Sequence, residues 1–409
     1  MTGRAVLGAV LVIVGALIDV PIALGLGLAV IGFEALHEVW VTRGLAGVGY
    51  RRHLGSSRVP WGETTELSIE VWNRSRLPLS WLRADDAISG DLIVRDRTLL
   101  PGSLGDLTLR NTWTLGPREL VRRRLHIGAT RRGVFQIGPT EVRIGDLFAM
   151  PASGGEWPQV DRLVAWPRTV PAAGVMRRDR WGGLDRARTG LGEDPSRFVG
   201  LRAYQPGDPL RRLHVRASAR LGMPLVKRFE PSRDRDVMLV LDLEPGAATT
   251  GGGAAEEAAA ESLILVAASL VRSFGEQHAA FGLAAAGYSG SVARLAFLPV
   301  SSSPGQLERG LDLLARLSTE PSAPFERLTA LVGRAVRDGT TILVLTGREA
   351  GPLLRPLRAL QRQGHSVRLL GAGEAGRATV LTARAAGIQG EAVALDGPLE
   401  TATRLTVSA

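Results

Sequence analysis

The chain has 409 residues, enough for two or three domains with their own hydrophobic cores, and it contains no cysteine, which excludes disulfides and thiolate metal sites. Its 50 basic and 40 acidic residues leave a net charge of +10. Lys227 is the only lysine, and this strong bias toward arginine means that charge alone does not identify a phosphate-binding protein.

The first apolar stretch, Ala5–Phe33, is interrupted only by Asp19 and Pro21. We expect a transmembrane hairpin within residues 1–43, with helices at Arg4–Ile18 and Pro21–Leu36, although each arm is shorter than the roughly 20 residues of a spanning helix. One long tilted span is an alternative, but it would place a carboxylate at the centre of the bilayer, where it is costly. A buried hairpin of a soluble protein is the other alternative.

Basic residues flank both ends of this stretch, with Arg4 before it and Arg43, Arg51 and Arg52 after it. The positive-inside rule therefore predicts that both ends of the hairpin are cytoplasmic. On this interpretation the protein is a two-pass protein of the cell membrane and its folded domains lie in the cytoplasm. A single span would place those domains on the other side.

Residues 44–171 change to short runs of alternating polar and apolar residues separated by turn signals. Alternation with this spacing predicts an antiparallel β-sandwich. No set of residues in this region has the spacing of a catalytic site. The predicted strands include Glu66–Val71, Leu92–Val94, Leu107–Leu109 and Arg124–Ile127.

Residues 172–235 form a basic connector between two domains. From Arg168 to Arg235 there are 16 Lys/Arg and 7 Asp/Glu residues, a difference of +9. A solvated basic surface, a site for anionic lipid or another polyanion, and a docking site for an acidic protein all remain open. No aromatic residues interleave with the arginines for base stacking, so we expect no nucleic-acid partner.

A short helix is predicted inside the connector. Arg177–Gly183 has the composition of a loop, and Pro206-Gly207 predicts a turn. Asp208 suits an N-cap and Pro209 the first helical position, so we expect a helix that runs to about Arg220 and is closed by Gly222. A strand is expected at Leu225–Phe229.

The spacing of this helix predicts one buried face and one basic row. Leucine and alanine recur at helical intervals at Leu210, Leu213, Ala217 and Leu221. Arginines spaced by four would project in a row beside them, at Arg212, Arg216 and Arg220. Part of the segment is expected to be structural, with Asp208 paired to Arg212.

Residues 236–409 alternate between apolar runs and helical patterns, which predicts a doubly wound α/β domain with a parallel sheet. Ligands in such sheets bind at the carboxyl ends of the strands, which directs attention to Asp242, Glu244 and Thr346. The predicted strands are Val237–Leu241, Ala280–Ala286, Val292–Leu298, Thr341–Leu345 and Ser366–Leu370. The predicted helices are Ala254–Phe274, Pro304–Leu317, Pro324–Asp338 and Gly351–Gln363.

The order of residues across the connector resembles the bacterial "domain of unknown function 58" family. The residues that carry the resemblance are Gly192-Glu193, Leu201-Arg202, Tyr204, Pro206-Gly207-Asp208, Arg211-Arg212-Leu213-His214, Ser218-Ala219-Arg220 and Leu241-Asp242. Upstream residues fit too, including Val71-Trp72-Asn73, Gly138-Pro139 and Val164-Ala165-Trp166-Pro167. The chain departs from the family at Val215, where a tryptophan is usual.

This resemblance implies that the last domain is similar to von Willebrand factor A domains, which bind Mg²⁺ through an Asp-x-Ser-x-Ser loop, a threonine and a further aspartate. Here the loop is Asp242-Leu243-Glu244-Pro245-Gly246, which lacks both serines, and Thr346 is followed by glycine. Mg²⁺ requires near-octahedral oxygen ligation. We therefore expect a degenerate site at Asp242, Glu244 and Thr346 and no cofactor.

The resemblance also implies a membrane-anchored partner of a MoxR-type AAA+ ATPase, a family often encoded beside transglutaminase-like membrane proteins. We expect a non-enzymatic scaffold or adaptor in cell-envelope assembly. Its docking residues would be Arg202, Tyr204, Asp208, Arg212, His214, Arg216, Ser218 and Arg220. The alternatives are a binder of anionic lipid or other polyanions, and a hydrolase that uses Asp208, His214 and Ser218.

Overall fold

A computed structural model describes residues 3–102, 106–145, 151–172, 193–205, 208, 213–231, 236–246, 253–287, 295–320, 322–337 and 339–408. The chain divides into two compact units, Met1–Trp166 and Pro167–Ala409. The predicted loop at Arg177–Gly183, the turn at Pro206-Gly207 and the residues Pro209 to Arg212 lie outside the described residues.

The first unit begins with two helices, α1 at Gly3–Leu17 and α2 at Pro21–Ala46. They are joined at Asp19, whose φ of 56° lies in the left-handed region that reverses the chain. The observed pair is therefore the expected hairpin and not one continuous helix. Helix α2 continues ten residues past the predicted end at Leu36, because polar residues end an apolar run without ending the helical hydrogen bonds.

Glycine lets the two helices approach closely. A Cβ atom added at Gly15 would lie 2.5 Å from the Leu24 amide nitrogen, and one at Gly27 would lie 2.7 Å from the Gly8 carbonyl oxygen. Such contacts between small residues are typical of helices that pack in membranes. Large apolar side chains, such as Leu17 and Ile22, are 80% and 84% exposed on the outside of the pair.

By length and composition, two described helices could cross a membrane. One is the Pro21–Val39 part of α2, which is almost wholly exposed. The other is Ala254–Glu276, which is mostly buried and belongs to the core of the second unit. Helix α1 is apolar but shorter.

The remainder of the first unit is a β-sandwich, as predicted. One sheet has the strand order β1-β3-β8-β5 and the other has the order β2-β11-β9-β4-β7-β6, with β10 paired to β9. All pairs are antiparallel except β2 with β11. The strands are β1 Val48–Leu54, β2 Arg58–Val59, β3 Thr64–Asn73, β4 Leu79–Ile88, β5 Leu92–Val94, β6 Leu100–Pro101, β7 Leu107–Leu115, β8 Leu120–Ala129, β9 Gly133–Gly145, β10 Pro151–Trp157 and β11 Asp161–Ala165.

Alternate residues of these strands point inward and form one apolar core between the sheets. Strand β3, for example, alternates strictly, and Leu67, Ile69 and Val71 are fully buried. Burial of each such side chain contributes about 1.5–3 kcal/mol relative to exposure.

A buried ion pair crosses this core. The Arg52 Nη1 of β1 lies 2.7 Å from the Asp86 Oδ1 of β4, and both side chains have 0% exposure. The same carboxylate accepts hydrogen bonds from the Tyr50 hydroxyl at 2.7 Å and the Thr140 hydroxyl at 2.6 Å. Burial raises the pKa of Asp86, while Arg52 and the hydroxyl donors oppose that rise. Sequence analysis missed this network, which ties one sheet to the other.

The second unit begins with a two-stranded sheet, β12 Glu193–Ala203 and β13 Leu225–Pro231, with the short helix α3, Val215–Leu221, between them. Strand β12 was not predicted. A seven-stranded sheet follows, with the order β16-β15-β14-β17-β18-β19-β20. Its strands are β14 Val237–Leu241, β15 Phe281–Ala286, β16 Leu295–Ser301, β17 Thr341–Thr346, β18 Ser366–Ala372, β19 Gln389–Leu395 and β20 Leu405–Ser408.

The central strands of this sheet are parallel, and the two edge strands β16 and β20 are antiparallel to their neighbours. Every residue of β14, β15 and β17 is buried, so both faces of the sheet are covered. The helices are α4 Ala254–Glu276, α5 Gln306–Ala315, α6 Phe325–Ala335, α7 Gly351–Arg362 and α8 Gly373–Ala385. The structure confirms the predicted doubly wound α/β domain with a central parallel sheet. Helix α8 and strands β19 and β20 were not predicted.

The buried pair in the sandwich gives a stability prediction. Asp86→Ala should lower the free energy of unfolding by about 3–5 kcal/mol, because it removes the buried carboxylate that pairs with the Arg52 guanidinium and leaves only the partly exposed Asp161 beside it. Urea unfolding of the purified protein, followed by tryptophan fluorescence, measures the change. Glu66→Ala is the control: its partner Arg124 is 64% exposed, so a loss of only about 0–1 kcal/mol is expected. Equal losses for the two variants would contradict the assignment.

Candidate functional site

The connector residues that the structure describes form a small platform. Strands β12 and β13 pair antiparallel, with Arg202 opposite Val226 and Ala203 opposite Leu225. The Tyr204 amide extends the pairing by donating to the Pro224 carbonyl at 2.9 Å. Tyr204 itself is partly buried. Helix α3 packs on β13 and is held there by the residues at its start.

The predicted start of the helix at Asp208 is wrong. Leu213 forms an isolated β-bridge with Val226, and the His214 amide donates to the Leu225 carbonyl at 2.8 Å. A backbone paired in this way is extended, so the helix begins only at Val215. His214 is the N-cap, and its Nδ1 accepts a hydrogen bond from the Ala217 amide at 3.2 Å. Gly222, at φ 69°, ends the helix as predicted.

Asp208 has a different structural role. Its two carboxylate oxygens accept hydrogen bonds from the Arg202 guanidinium at 2.6 and 2.7 Å, and Oδ2 also accepts from the Gln205 amide at 2.9 Å. Asp208 thus binds both the end of β12, at Arg202, and the Gln205 amide that follows it. Arg212, which was expected to pair with Asp208, lies outside the described residues.

Ser218 fastens α3 to the platform. Its hydroxyl donates to the His214 carbonyl at 3.0 Å and accepts from the Leu225 amide at 2.8 Å. The hydroxyl therefore contacts the backbone of His214 and not its ring. The residues named for a hydrolytic set are thus each engaged with backbone or with Arg202, and their side chains do not form a nucleophile–base pair.

The outward side of α3 carries Val215, Arg216, Ala219 and Arg220, and we call these four residues the docking face. All four are exposed, and Val215 is 69% exposed. Residues four apart lie on the same side of a helix, so Arg216 and Arg220 project together. Leu221 was expected in the buried leucine stripe of this helix, but its side chain is 65% exposed. Met223, beyond the end of α3, is also exposed, at 45%.

The second candidate site lies at the carboxyl edge of the large sheet, where Asp242 directly follows β14 and Thr346 is the last residue of the neighbouring β17. The Thr346 hydroxyl donates to Asp242 Oδ2 at 2.7 Å. Arg348, which sequence analysis overlooked, donates from Nε to the same oxygen at 2.7 Å and from Nη1 to Glu244 Oε2. The predicted trio is therefore brought together around a guanidinium.

This donor set does not fit an oxygen-ligated metal ion. Each of the four carboxylate oxygens already accepts a hydrogen bond, because Asp242 Oδ1 takes the Glu244 amide and Glu244 Oε1 takes the Phe325 amide. Arg348 is 5% exposed, and its Cζ lies 5.5 Å from the centre of the Phe325 ring. The described residues contain no group of three His, Asp or Glu side chains that could hold a metal. Arg348 supplies the positive charge at this edge.

Asp242 retains an unusual affinity for protons despite this pairing. Burial raises its pKa to about 6, against the lowering effect of Arg348 and Thr346. With both carboxylates ionised, the two negative charges exceed the single positive charge of Arg348. Burial is the larger cause of the raised pKa of Asp242, and the negative charge of Glu244 adds a smaller part.

The Asp242 pKa gives a prediction of pH dependence. Because this pKa is raised from 3.8 to about 6, the folded state binds the proton more tightly than the unfolded state. The resulting stabilisation is complete below pH 3.8 and is lost as the pH rises through 6, and it amounts to roughly 3 kcal/mol. Urea unfolding at several pH values should show the stability of the unmodified protein relative to Asp242→Asn falling over this window. A difference that is constant with pH would contradict the prediction.

Comparisons with known proteins add one family match. A family described as "Protein of unknown function DUF58" matches residues 200–367, from β12 into β18, which supports the resemblance of the connector and the α/β domain to that family. No curated protein matches the chain. Among solved structures, the CARDB domain of the PF1109 protein from Pyrococcus furiosus is 14% identical, covers 29% of this chain and 86% of its own, and has a TM-score of 0.21. A cohesin module from Clostridium perfringens is 9% identical, covers 29% and 96%, and has a TM-score of 0.22.

Proposed function

We propose that this protein is a membrane-anchored, non-enzymatic docking protein whose α3 surface binds an acidic partner. By family resemblance the partner is a MoxR-type AAA+ ATPase, and the process is assembly of the cell envelope. One observation carries the proposal. Within the connector, the side chains of Asp208, His214 and Ser218 are already engaged in hydrogen bonds. Arg216 and Arg220, in contrast, are exposed together on the docking face.

The chemistry of the docking face suits carboxylates. Guanidinium groups bind carboxylates through two parallel hydrogen bonds, and each such charge-assisted bond is stronger than a neutral one. Val215 and Ala219 lie beside the arginines and add apolar contact area. An acidic segment with a few apolar side chains is therefore the kind of partner surface that fits.

The rest of the connector supports this role by rigidity. Ser218, bonded to backbone on both sides of it, holds α3 at a fixed position on β13, and Asp208 with Arg202 fixes the chain that follows β12. A site whose geometry is set before binding loses less conformational entropy when the partner arrives. Within the proposal, Arg202, Asp208, His214 and Ser218 are positioning residues, and the arginines of α3 make the contact.

The proposed fold of the α/β domain is von Willebrand factor A-like. The order of its parallel strands, β15-β14-β17-β18-β19, is a doubly wound order that reverses between β14 and β17. Asp242, Thr346 and Arg348 lie at the carboxyl ends of β14 and β17, the two strands between which the order reverses. On this proposal Arg348 replaces the metal ion of such domains, and partner binding would not depend on Mg²⁺.

Charge reversal on α3 tests the docking proposal. Arg216→Glu with Arg220→Glu should reduce recovery of the ATPase from native membranes by about tenfold or more, because at least two charge-assisted contacts are lost. The matched control is Arg358→Glu with Arg362→Glu, an exposed pair with the same spacing on α7. Recovery of no ATPase by the unmodified protein, with or without nucleotide, would defeat the proposal, and so would equal recovery by the two variants.

Anionic lipid is a second candidate ligand, favoured by the exposed apolar residues Leu221 and Met223, which follow Arg220 in the chain. Apolar residues among basic ones are typical of elements that bind at a membrane interface. The full-length Met223→Cys protein in liposomes separates the two ideas. Protection of that cysteine from a thiol reagent by phosphatidylglycerol, lost in Arg216→Glu with Arg220→Glu, would favour lipid over the ATPase.

The proposed topology is two-pass with both folded units in the cytoplasm. Because the chain has no cysteine, single cysteines report on sidedness directly. Asp19→Cys, at the turn of the hairpin, should react with a membrane-impermeant thiol reagent in intact cells. Ser302→Cys, an exposed position in the second unit, should react only after lysis. Labelling of Ser302→Cys in intact cells would refute the cytoplasmic placement.

A further inference from the structure

One open edge of the β-sandwich carries a second group of polar side chains at inward positions, apart from the Arg52–Asp86 pair. Strand β6 pairs with β7 only at Leu107 and Thr108, and β5 pairs with β8 only from Ile127 onward. Beyond these short edge strands, β7 and β8 face each other across the sandwich. The residues that they point inward here are Asn111 and Trp113 on β7 and Arg123 on β8.

These three side chains are in contact. The Arg123 Nη1 donates to Asn111 Oδ1 at 2.9 Å, and its Nη2 donates to the Thr112 carbonyl at 3.2 Å. The Arg123 Cζ lies 4.6 Å from the centre of the Trp113 ring. Because a guanidinium can only donate, the oxygen of the Asn111 amide must face Arg123, and the NH₂ group points away from it.

Two donors of this cluster have no partner. Asn111 is 1% exposed and Trp113 is 6% exposed, so both side chains are buried. The Asn111 Nδ2 and the Trp113 Nε1 nevertheless make no hydrogen bond. An unsatisfied buried donor costs about 1–3 kcal/mol, so two of them on one face of one strand require an explanation. Each needs an acceptor.

The two charged side chains of the cluster are both positive. Burial lowers the pKa of the Arg123 guanidinium, and the positive charge of Arg97, which is exposed on the segment between β5 and β6, lowers it further. Among the described residues, no carboxylate pairs with Arg97 or Arg123. We call Arg97, Asn111, Trp113 and Arg123 the edge cluster: it offers two guanidinium groups and two unspent N–H donors but no negative charge.

We propose that the edge cluster binds an oxyanion, the phosphate or carboxylate group of a small ligand. Such a group carries several lone pairs that can accept hydrogen bonds. It would give the Asn111 NH₂ group and the Trp113 indole N–H the acceptors that they lack, and its negative charge would balance Arg97 and Arg123. Arg123 lies over the face of the indole ring and holds the Asn111 oxygen, and the proposal requires this partly buried side chain to move so that the anion reaches the two unspent donors. The site belongs to the sandwich and does not depend on the docking face of the other unit.

The indole N–H of Trp113 is a direct reporter of binding. The full-length protein, labelled with ¹⁵N at the tryptophan indoles and held in detergent, is titrated with sodium phosphate or with sodium acetate. Sodium chloride keeps the ionic strength constant, and Trp113→Phe assigns the signal. The Trp113 proton should move downfield and saturate, since it gains a hydrogen-bond acceptor, while the exposed Trp61 indole should not respond. Saturation by phosphate alone would identify a phosphoryl ligand, and saturation by acetate alone would identify a carboxylate.

A variant of an exposed residue makes the test independent of folding. Arg97→Gln should weaken binding by about tenfold, the effect of one lost charge-assisted hydrogen bond. The control is Arg95→Gln, which removes another exposed arginine of the same segment and should leave the affinity unchanged. Absence of any Trp113 shift with both anions would overturn the proposal. So would equal binding by Arg97→Gln and Arg95→Gln.

Discussion

The ion pair between Asp242 and Arg348 organises the carboxyl edge of the α/β sheet. Asp242 directly follows the first strand of that sheet and is 2% exposed, so its charge is stable there only with a positive partner. Arg348 reaches it from the end of β17 and also binds Glu244, which in turn accepts the amide that begins α6. One guanidinium thus connects two strand ends and a helix. An ion that could leave would not provide that permanent link.

The sandwich uses the same solution between Arg52 and Asp86. A buried pair of this kind adds little net stability over apolar side chains of equal volume, because desolvation offsets the attraction. Its effect is on specificity, since any register that separates the charges leaves one of them unpaired. Asp86 lies on the inward register of β4, beside Ala84 and Ile88, so a one-residue slip would expose the apolar set and break the pair.

Features that depend on neighbouring residues in the sequence could be predicted, whereas features that depend on contacts between distant residues could not. Strands such as Val237–Leu241 and Leu92–Val94 agree with the structure at both ends, because alternation and apolar runs are local signals. The proximity of Asp242 to Thr346 was also predictable, since parallel strands end at one edge. The start of α3 was not, because Leu213 is held in extended form by Val226, thirteen residues away in the chain. Arg348 and the Arg52 pair depend on contacts between distant elements, for which a single sequence holds no periodic signal.

Arginine is so abundant in this chain that its number carries no functional information, but its pairing does. Arg52 and Arg348 are buried with carboxylates, and Arg110 and Arg122 pair with carboxylates at the surface. Those four have their charge satisfied within the protein. The docking face and the edge cluster are different, because their arginines meet no carboxylate among the described residues. A guanidinium that is positioned by its neighbours, yet left without a counter-charge, is where an acidic ligand gains most by binding.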